Sequence, residues 1–268
     1  MIHSNITFKG KNIHFQDEGR GNNKVLVLLH GFMNNLEIWA SYIYSYMNNM
    51  RVIAIDLPGH GNSATYGEIH TMEFMADAVH AVLESLGIEQ CVMLGHSMGG
   101  YVTLAFAEKY PYMLRGFGLL NSQAIADEPD VVQKRYESIE LAKKNRPDYI
   151  IKFIPELFYS KKRTQYSVDI KDVQDLSLET TVDGIAAAQR GMAQRTTRLS
   201  VLEDSQVPVL FIYGKEDPRI PVEYAICQAT LPKFSEIMLL GEVSHMSFLE
   251  ERDFVKQRIK NFVNTCYL

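Results

Sequence analysis

Gly95-His96-Ser97-Met98-Gly99 is the stretch of this sequence best suited to chemistry. A serine flanked at two residues' distance by glycines fits a sharp turn from strand to helix, where side chains on either side would collide. Such a turn lifts the serine Oγ above a sheet and aims a helix N-terminus at the reacting atom. The pattern alone is weak: with Gly and Ser each at roughly 7%, a random chain of this length contains it with a probability of roughly 0.1. Its context makes it stronger. Cys91-Val92-Met93-Leu94 reads as a strand, residues 97–110 as a helix stopped by Pro111, and Gly100 adds another small residue at the turn.

A serine hydroxyl is a weak nucleophile until a base takes its proton. Of the eight histidines only His245 follows Ser97, and on sheets that carry such a turn the chain order is nucleophile, acid, histidine. His245 lies in Val243-Ser244-His245-Met246-Ser247, between the last strand-like run and the last helical one. That is a loop at the carboxyl edge of a parallel sheet, where sites form; the plainer reading is a partly exposed structural histidine. The histidine needs an orienting carboxylate. Asp217, in Gly214-Lys215-Glu216-Asp217-Pro218 after the run 209–213, is the choice. Its neighbour Glu216 competes for the role and is read as pointing to solvent. The preceding strand ends at Asn121-Ser122, which offers no carboxylate.

These residues need a scaffold. Apolar runs at 25–29, 51–55, 91–94, 117–120, 209–213 and 237–240 each end at a turn of Gly, Pro or Asn. Runs apolar on both faces suit strands of a parallel sheet covered on both sides. Helical patterns alternate with them: Thr71 caps a helix to Leu86 that stops at Gly87, and 97–110, 222–231 and 252–263 follow. The alternation predicts an α/β, mostly parallel, doubly wound sheet with right-handed crossovers. Ile6-Thr7-Phe8 and Ile13-His14-Phe15 add an antiparallel hairpin at its edge. Residues 122–204 break the alternation, with helical patterns at 131–144, 149–159, 173–181 and 182–195 and no convincing strand. They are read as an all-helical cap inserted into a core of residues 1–121 and 205–268.

The combination resembles the α/β-hydrolase superfamily, in its serine hydrolase form with a helical cap. The matching segments are Leu28-Leu29-His30-Gly31-Phe32, Asp56-Leu57-Pro58-Gly59-His60-Gly61-Asn62-Ser63, Gly95-His96-Ser97-Met98-Gly99-Gly100, Tyr213-Gly214-Lys215-Glu216-Asp217 and Ser244-His245. They span nearly the whole chain and are specific for fold and catalytic apparatus, not for substrate. The resemblance implies a Ser97-Asp217-His245 triad and an oxyanion hole built from the backbone N–H groups of Phe32 and Met98. It implies no metal and no organic cofactor. Haloalkane dehalogenases and epoxide hydrolases of this superfamily carry aspartate where this chain has Ser97, and Met98-Gly99-Gly100 differs from the Trp-containing elbow of proline iminopeptidases. What remains is a carboxylesterase, lactonase, thioesterase or carbon–carbon bond hydrolase, a cofactor-free lyase or acyltransferase on the same residues, or a ligand receptor on this fold. A small carboxylic ester is the favoured substrate.

Other residues are assigned lesser roles. His30 and His96 are expected to shape turns. Asp56, His60 and Ser63 mimic a triad, but the surrounding Pro58, Gly59 and Gly61 indicate a tight turn held by Asp56. His70 and His80 lack metal-ligand partners at useful spacing, and Trp39 packs a helix. In the cap, Phe153, Phe158, Tyr159 and Met192 either face the pocket or form its core; Phe153, Phe158, Met192 and Arg195 are carried forward as pocket candidates. Arg190 and Arg195 are either solvated or pair with a substrate carboxylate. An arginine in the cavity would point to an acidic substrate, a wholly apolar cavity away from one.

Composition bounds the rest. The chain has 268 residues, is 46% hydrophobic and 22% charged, and carries a net charge of −5. These values fit a globular protein large enough to fold without disulfides or metals, and they argue against a nucleic-acid partner. Cys91, Cys227 and Cys266 form no C-x-x-C pair, which agrees with a reducing compartment. No signal sequence and no run of roughly 18 apolar residues is visible. The expectation is a cytoplasmic monomer or homodimer acting on a small molecule, without membrane partners.

Overall fold

A computed structural model describes residues 2–268. Among these, eight strands form one sheet in the order β1-β2-β4-β3-β5-β6-β7-β8. They are β1 (His3–Phe8), β2 (Lys11–Glu18), β3 (Val25–Leu29), β4 (Arg51–Ile55), β5 (Cys91–His96), β6 (Leu114–Leu120), β7 (Val209–Gly214) and β8 (Ser235–Leu240). β1 and β2 form the antiparallel edge hairpin, β2 runs antiparallel to β4, and every other pairing is parallel. β3, β5 and β7 are buried at every position, as their unbroken apolar sequences require. The edge strand β1 alternates between exposed and half-buried residues.

The helices outside the β6–β7 connection are α1 (Ala40–Tyr46), α2 (Met72–Ser85), α3 (Met98–Lys109), α8 (Val222–Ala229), α9 (Ser247–Glu250) and α10 (Arg252–Cys266). Within that connection lie α4 (Pro129–Phe153), α5 (Ser167–Ser177), α6 (Val182–Ala193) and α7 (Leu199–Glu203), and no strand among the described residues. The chain passes from β3 to β4 in one direction and then crosses back over β3 to β5. Right-handed crossovers therefore place α1 and α2 on opposite faces. The reversal leaves a crevice at the carboxyl ends of β3 and β5, the position where open α/β sheets bind ligands. Trp39, fully buried, packs on Tyr42 of α1 and on Phe248 of α9, with ring centroids 5.5 and 4.6 Å away. Among the described residues no helix is long and apolar enough to cross a membrane.

The helical connection differs in detail from its sequence pattern. The expected helices 131–144 and 149–159 are one element, α4, bent at Asn145 (φ −158°, ψ 87°). Pro147 disfavours helical backbone in its neighbourhood and removes one N–H, so the helix kinks there and resumes. It ends at Phe153 because Pro155 opens a 3-10 turn over Ile154–Leu157. α5 starts at Ser167, six residues before the expected 173, since of its eleven residues only Val173 and Ser177 are buried and no apolar stripe marks its start. α6 begins at its Thr181 cap, whose hydroxyl accepts the Gly184 N–H at 3.0 Å. α7 lies against α3, and Arg198 before it pairs with Glu73 and Glu108 of the sheet's own helices.

Candidate active site

The Ser97 turn is strained in the manner its sequence demands. Ser97 has φ 49° and ψ −114° between β5 and α3, a conformation that costs roughly 1–3 kcal/mol for a residue with a side chain. The glycines make room for it: a Cβ on Gly95 would sit 2.1 Å from the Gly99 carbonyl oxygen, and one on Gly99 2.5 Å from that of Leu29. Hydrogen bonds hold the turn to the sheet. Ser97 N–H donates to Leu120 O at 2.9 Å, and Ser122 Oγ donates to Ser97 O at 2.7 Å.

His245 and Asp217 meet Ser97 from two other strand ends. His245 Nδ1 lies 2.8 Å from Asp217 Oδ2, and its Nε2 lies 2.9 Å from Ser97 Oγ. An ionised carboxylate only accepts, so Nδ1 carries the proton and Nε2 is free to take one from the serine. His245 and Asp217 are 2% and 6% exposed, which keeps water out of this chain of bonds. Burial alone would push the Asp217 carboxyl up. The neighbouring His245, the Asn121 side chain and the Arg219 N–H outweigh it and hold the acid below its usual value. Asp217 Oδ1 accepts the N–H groups of Arg219 and Ile220 at 2.8 and 3.3 Å, a turn that fixes the carboxylate. Glu216 is exposed, and among the described residues its hydrogen bonds are on its main chain only.

Phe32 follows β3, against whose end Gly99 packs (a Cβ there would lie 2.5 and 2.7 Å from the Leu29 and His30 oxygens), and Met98 opens α3 beside Ser97. Neither N–H has a backbone acceptor among the described residues. Gly31 permits this approach, because a Cβ there would lie 2.6 Å from His96 Nδ1. His96 Nε2 donates to His245 O at 2.9 Å, and burial pushes the His96 pKa down to about 3, so the ring stays neutral and braces the His245 loop. His30 acts on the other flank: Nδ1 donates to Gly31 O and Nε2 accepts the Leu57 N–H. Asp56 holds its turn through the Asn62 N–H and reaches beyond it to the Leu36 N–H and to His14.

Two supporting residues carry no sequence signal of their own. Asn121, at φ 46° after β6, donates from Nδ2 to Asp217 Oδ2 at 2.9 Å and to Ser244 O at 3.1 Å. It occupies the strand end where the sequence shows no carboxylate, and it steers the carboxylate of the next strand. An asparagine where the chain leaves a strand in a left-handed conformation is a cue in retrospect. Glu250 accepts the N–H groups of Ser244 and Met246 through Oε1 and that of Tyr159 through Oε2. Together with the bond from His245 N–H to Leu157 O, it stitches the histidine loop to the helical connection.

Burial pushes the Glu250 carboxyl up to about 7 against the pull of those three N–H groups. The protonated acid is therefore favoured in the folded state. Its stabilisation is complete below the usual 4.5 and is lost as pH rises through about 7. Wild type is expected to lose on the order of 3 kcal/mol more stability than Glu250→Gln across that window. Urea unfolding at a series of pH values measures the difference; parallel curves would contradict it.

A cavity of about 540 Å³ opens above Ser97 and His245. Phe153 and Met192 stand on its wall, as does Phe32. Phe158 and Arg195 do not, which corrects the expectation for both. Phe158 is 1% exposed and packs against Tyr166, and Arg195 is bound to Asp127 at 2.6 Å with its guanidinium over the Tyr101 ring. Tyr159 is buried and absent from the wall, and Arg190 bonds the Glu68 carbonyl. The arginines on the wall are Arg135 and Arg219, and the sequence singled out neither.

Residues 24–252 match the family model for the alpha/beta hydrolase fold. The chain is 29% identical over 242 residues to the dihydrolipoyllysine-residue acetyltransferase component of an acetoin cleaving system from Pseudomonas putida. That match covers 89% of this chain and 63% of the relative, so the chain spans less than two thirds of that protein's length. It is 27% identical over 228 residues to the bifunctional esterase/perhydrolase DCH of Acinetobacter calcoaceticus, covering 81% of this chain and 83% of the relative. A thermophilic esterase from Thermogutta terrifontis, solved with malate bound, superposes with a TM-score of 0.93 at 28% identity over 100% of both chains. The chain belongs to the alpha/beta hydrolase fold family and is an enzyme of the hydrolase class.

Proposed function

We propose that the protein is a serine hydrolase that cleaves a small carboxylic ester or related acyl compound through Ser97, His245 and Asp217. The observation that carries this reading is the unbroken chain from Ser97 Oγ through both ring nitrogens of His245 to Asp217, at 2.9 and 2.8 Å, on the floor of a cavity. His245 Nε2 removes the Ser97 proton as Oγ attacks the ester carbonyl. The Phe32 and Met98 N–H groups bind the tetrahedral oxyanion, each such donor contributing roughly 3–4 kcal/mol. His245, its positive charge stabilised by Asp217, then protonates the departing alcohol. Water attacks the acyl-enzyme by the same route, returning the acid and free Ser97.

Residues 122–204 act as a cap that supplies much of the cavity wall and selects the substrate. The volume of about 540 Å³ and the mixture of Phe32, Phe153 and Met192 with charged groups suit a short ester better than a long-chain lipid. The test is turnover of 4-nitrophenyl butanoate. Many equivalents of nitrophenol per enzyme, at a kcat within roughly 1–1000 per second and unchanged by EDTA, are expected. Release of one equivalent and no more would point to a receptor that keeps its ligand. Ester formation with an added alcohol in place of hydrolysis would point to an acyltransferase.

A further inference from the structure

Arg219 stands apart from the other cationic groups around the cavity. Arg135 is bound to Asp127 and Gln189, and Lys134 to Asp130. Asp127 itself is shared between Arg135 and Arg195, so that cluster of three carries one surplus positive charge. The Arg219 side chain has no hydrogen bond and no ion pair to any described residue. Its guanidinium carbon lies over Phe153 in a cation–π contact, 4.4 Å from the ring centroid. It keeps accessible surface at the cavity wall, yet protein surrounds it closely enough that burial draws its pKa down, with Asp217 offsetting only part of the effect. Glu128 is the one acidic group on the wall besides Asp127, and it is exposed at the start of α4.

The root of the arginine and the ring beneath its guanidinium are both held in place. The Arg219 N–H is a donor to Asp217 Oδ1, so the turn that fixes the triad acid also fixes the root of this arginine. Phe153 in turn meets Phe32 edge-on at 6.2 Å, which ties the stacked guanidinium to the oxyanion side of the site. A planar guanidinium held by stacking and left with open N–H groups presents a fork matched to a carboxylate.

We propose that Arg219 binds a free carboxylate on the substrate, so that the preferred esters are acidic, in the simplest form monoesters of short dicarboxylic acids. The inference rests on the serine hydrolase reading above and names the substrate class of that same site. The carboxylate replaces cavity water on Arg219 and anchors the ester with its carbonyl over Ser97.

The test compares kcat/KM for isosteric pairs by pH-stat titration. One pair is monoethyl glutarate against ethyl 5-methylhexanoate, the other acetoxyacetate against isobutyl acetate, which moves the carboxylate from the acyl to the alcohol side. Wild type is expected to favour the acidic member of at least one pair. Arg219→Met is expected to lower that acid-to-neutral ratio by about 10–100-fold, the range for a charge-assisted hydrogen bond, and Arg219→Lys to recover part of it. Damage common to both members cancels in the ratio. A ratio that Arg219→Met leaves unchanged for both pairs overturns the proposal, whatever happens to overall activity. If wild type turns over no ester, the hydrolase reading fails on its own. Calorimetric titration with glutarate then decides the carboxylate site: binding lost in Arg219→Met supports it, and equal binding overturns it.

Discussion

Replacing Ser97 with alanine is expected to lower kcat for 4-nitrophenyl butanoate by roughly 10⁵-fold or more. Among the described residues Ser97 Oγ is the one hydrogen-bond partner of His245 Nε2, so its loss leaves the base with nothing to activate except water. The residual rate would come from binding and the oxyanion donors, which act without a nucleophile. The protein should fold as before, because Ser97 is held by its main chain: its N–H bonds Leu120 O and its carbonyl accepts from Ser122. Alanine must adopt the same positive φ, at a cost similar to the serine it replaces. A Ser97→Ala enzyme with more than about one hundredth of wild-type activity would rule out Ser97 as nucleophile.

Asp217→Asn is the second large effect, a loss of roughly 10⁴-fold in kcat with the fold retained. An amide at this position can offer an N–H to His245 and so favour the tautomer with its proton on Nε2, which cannot accept from Ser97. It also cannot balance the imidazolium that forms during attack. The turn sharpens the effect: the Arg219 and Ile220 N–H groups donate to Oδ1, so the amide oxygen takes that place. The NH₂ then takes the Oδ2 place that faces His245, and Asn121 loses its acceptor. Glu216→Gln is expected to change kcat less than threefold, because that carboxylate is exposed and makes no side-chain hydrogen bond to any described residue. A reversal of the two results would move the acid from Asp217 to Glu216.

The strands were legible because parallel strands buried on both faces leave unbroken apolar runs. The runs 25–29 and 51–55 coincide with β3 and β4. Ser97 stands out in the sequence because its strained turn needs Gly95 and Gly99, Asp217 because Gly214 and Pro218 flank it, and His245 because no other histidine follows Ser97. The helical connection was harder to read. α4 and α5 bury few residues against mixed surroundings, so Pro147 looks like a break where it makes a kink, and α5 hides its start. Phe158 and Phe153 look alike in sequence, yet one fills the core against Tyr166 and the other carries Arg219. Arg195 reads in sequence as solvated or substrate-binding, and Asp127, 68 residues earlier, takes its guanidinium instead. Asn121, Glu250 and Arg219 are silent because each meets a partner far along the chain, Asp217, Tyr159 and Phe153 respectively, and contact between distant segments leaves no periodicity.

The central claim is that Ser97 becomes covalently acylated. Treating the enzyme with a fluorophosphonate and locating the adduct by peptide mass spectrometry tests it directly. The expected result is a single stoichiometric adduct on Ser97, absent from Ser97→Ala and strongly slowed in His245→Ala. An adduct on another residue, or undiminished labelling of Ser97→Ala, would contradict it.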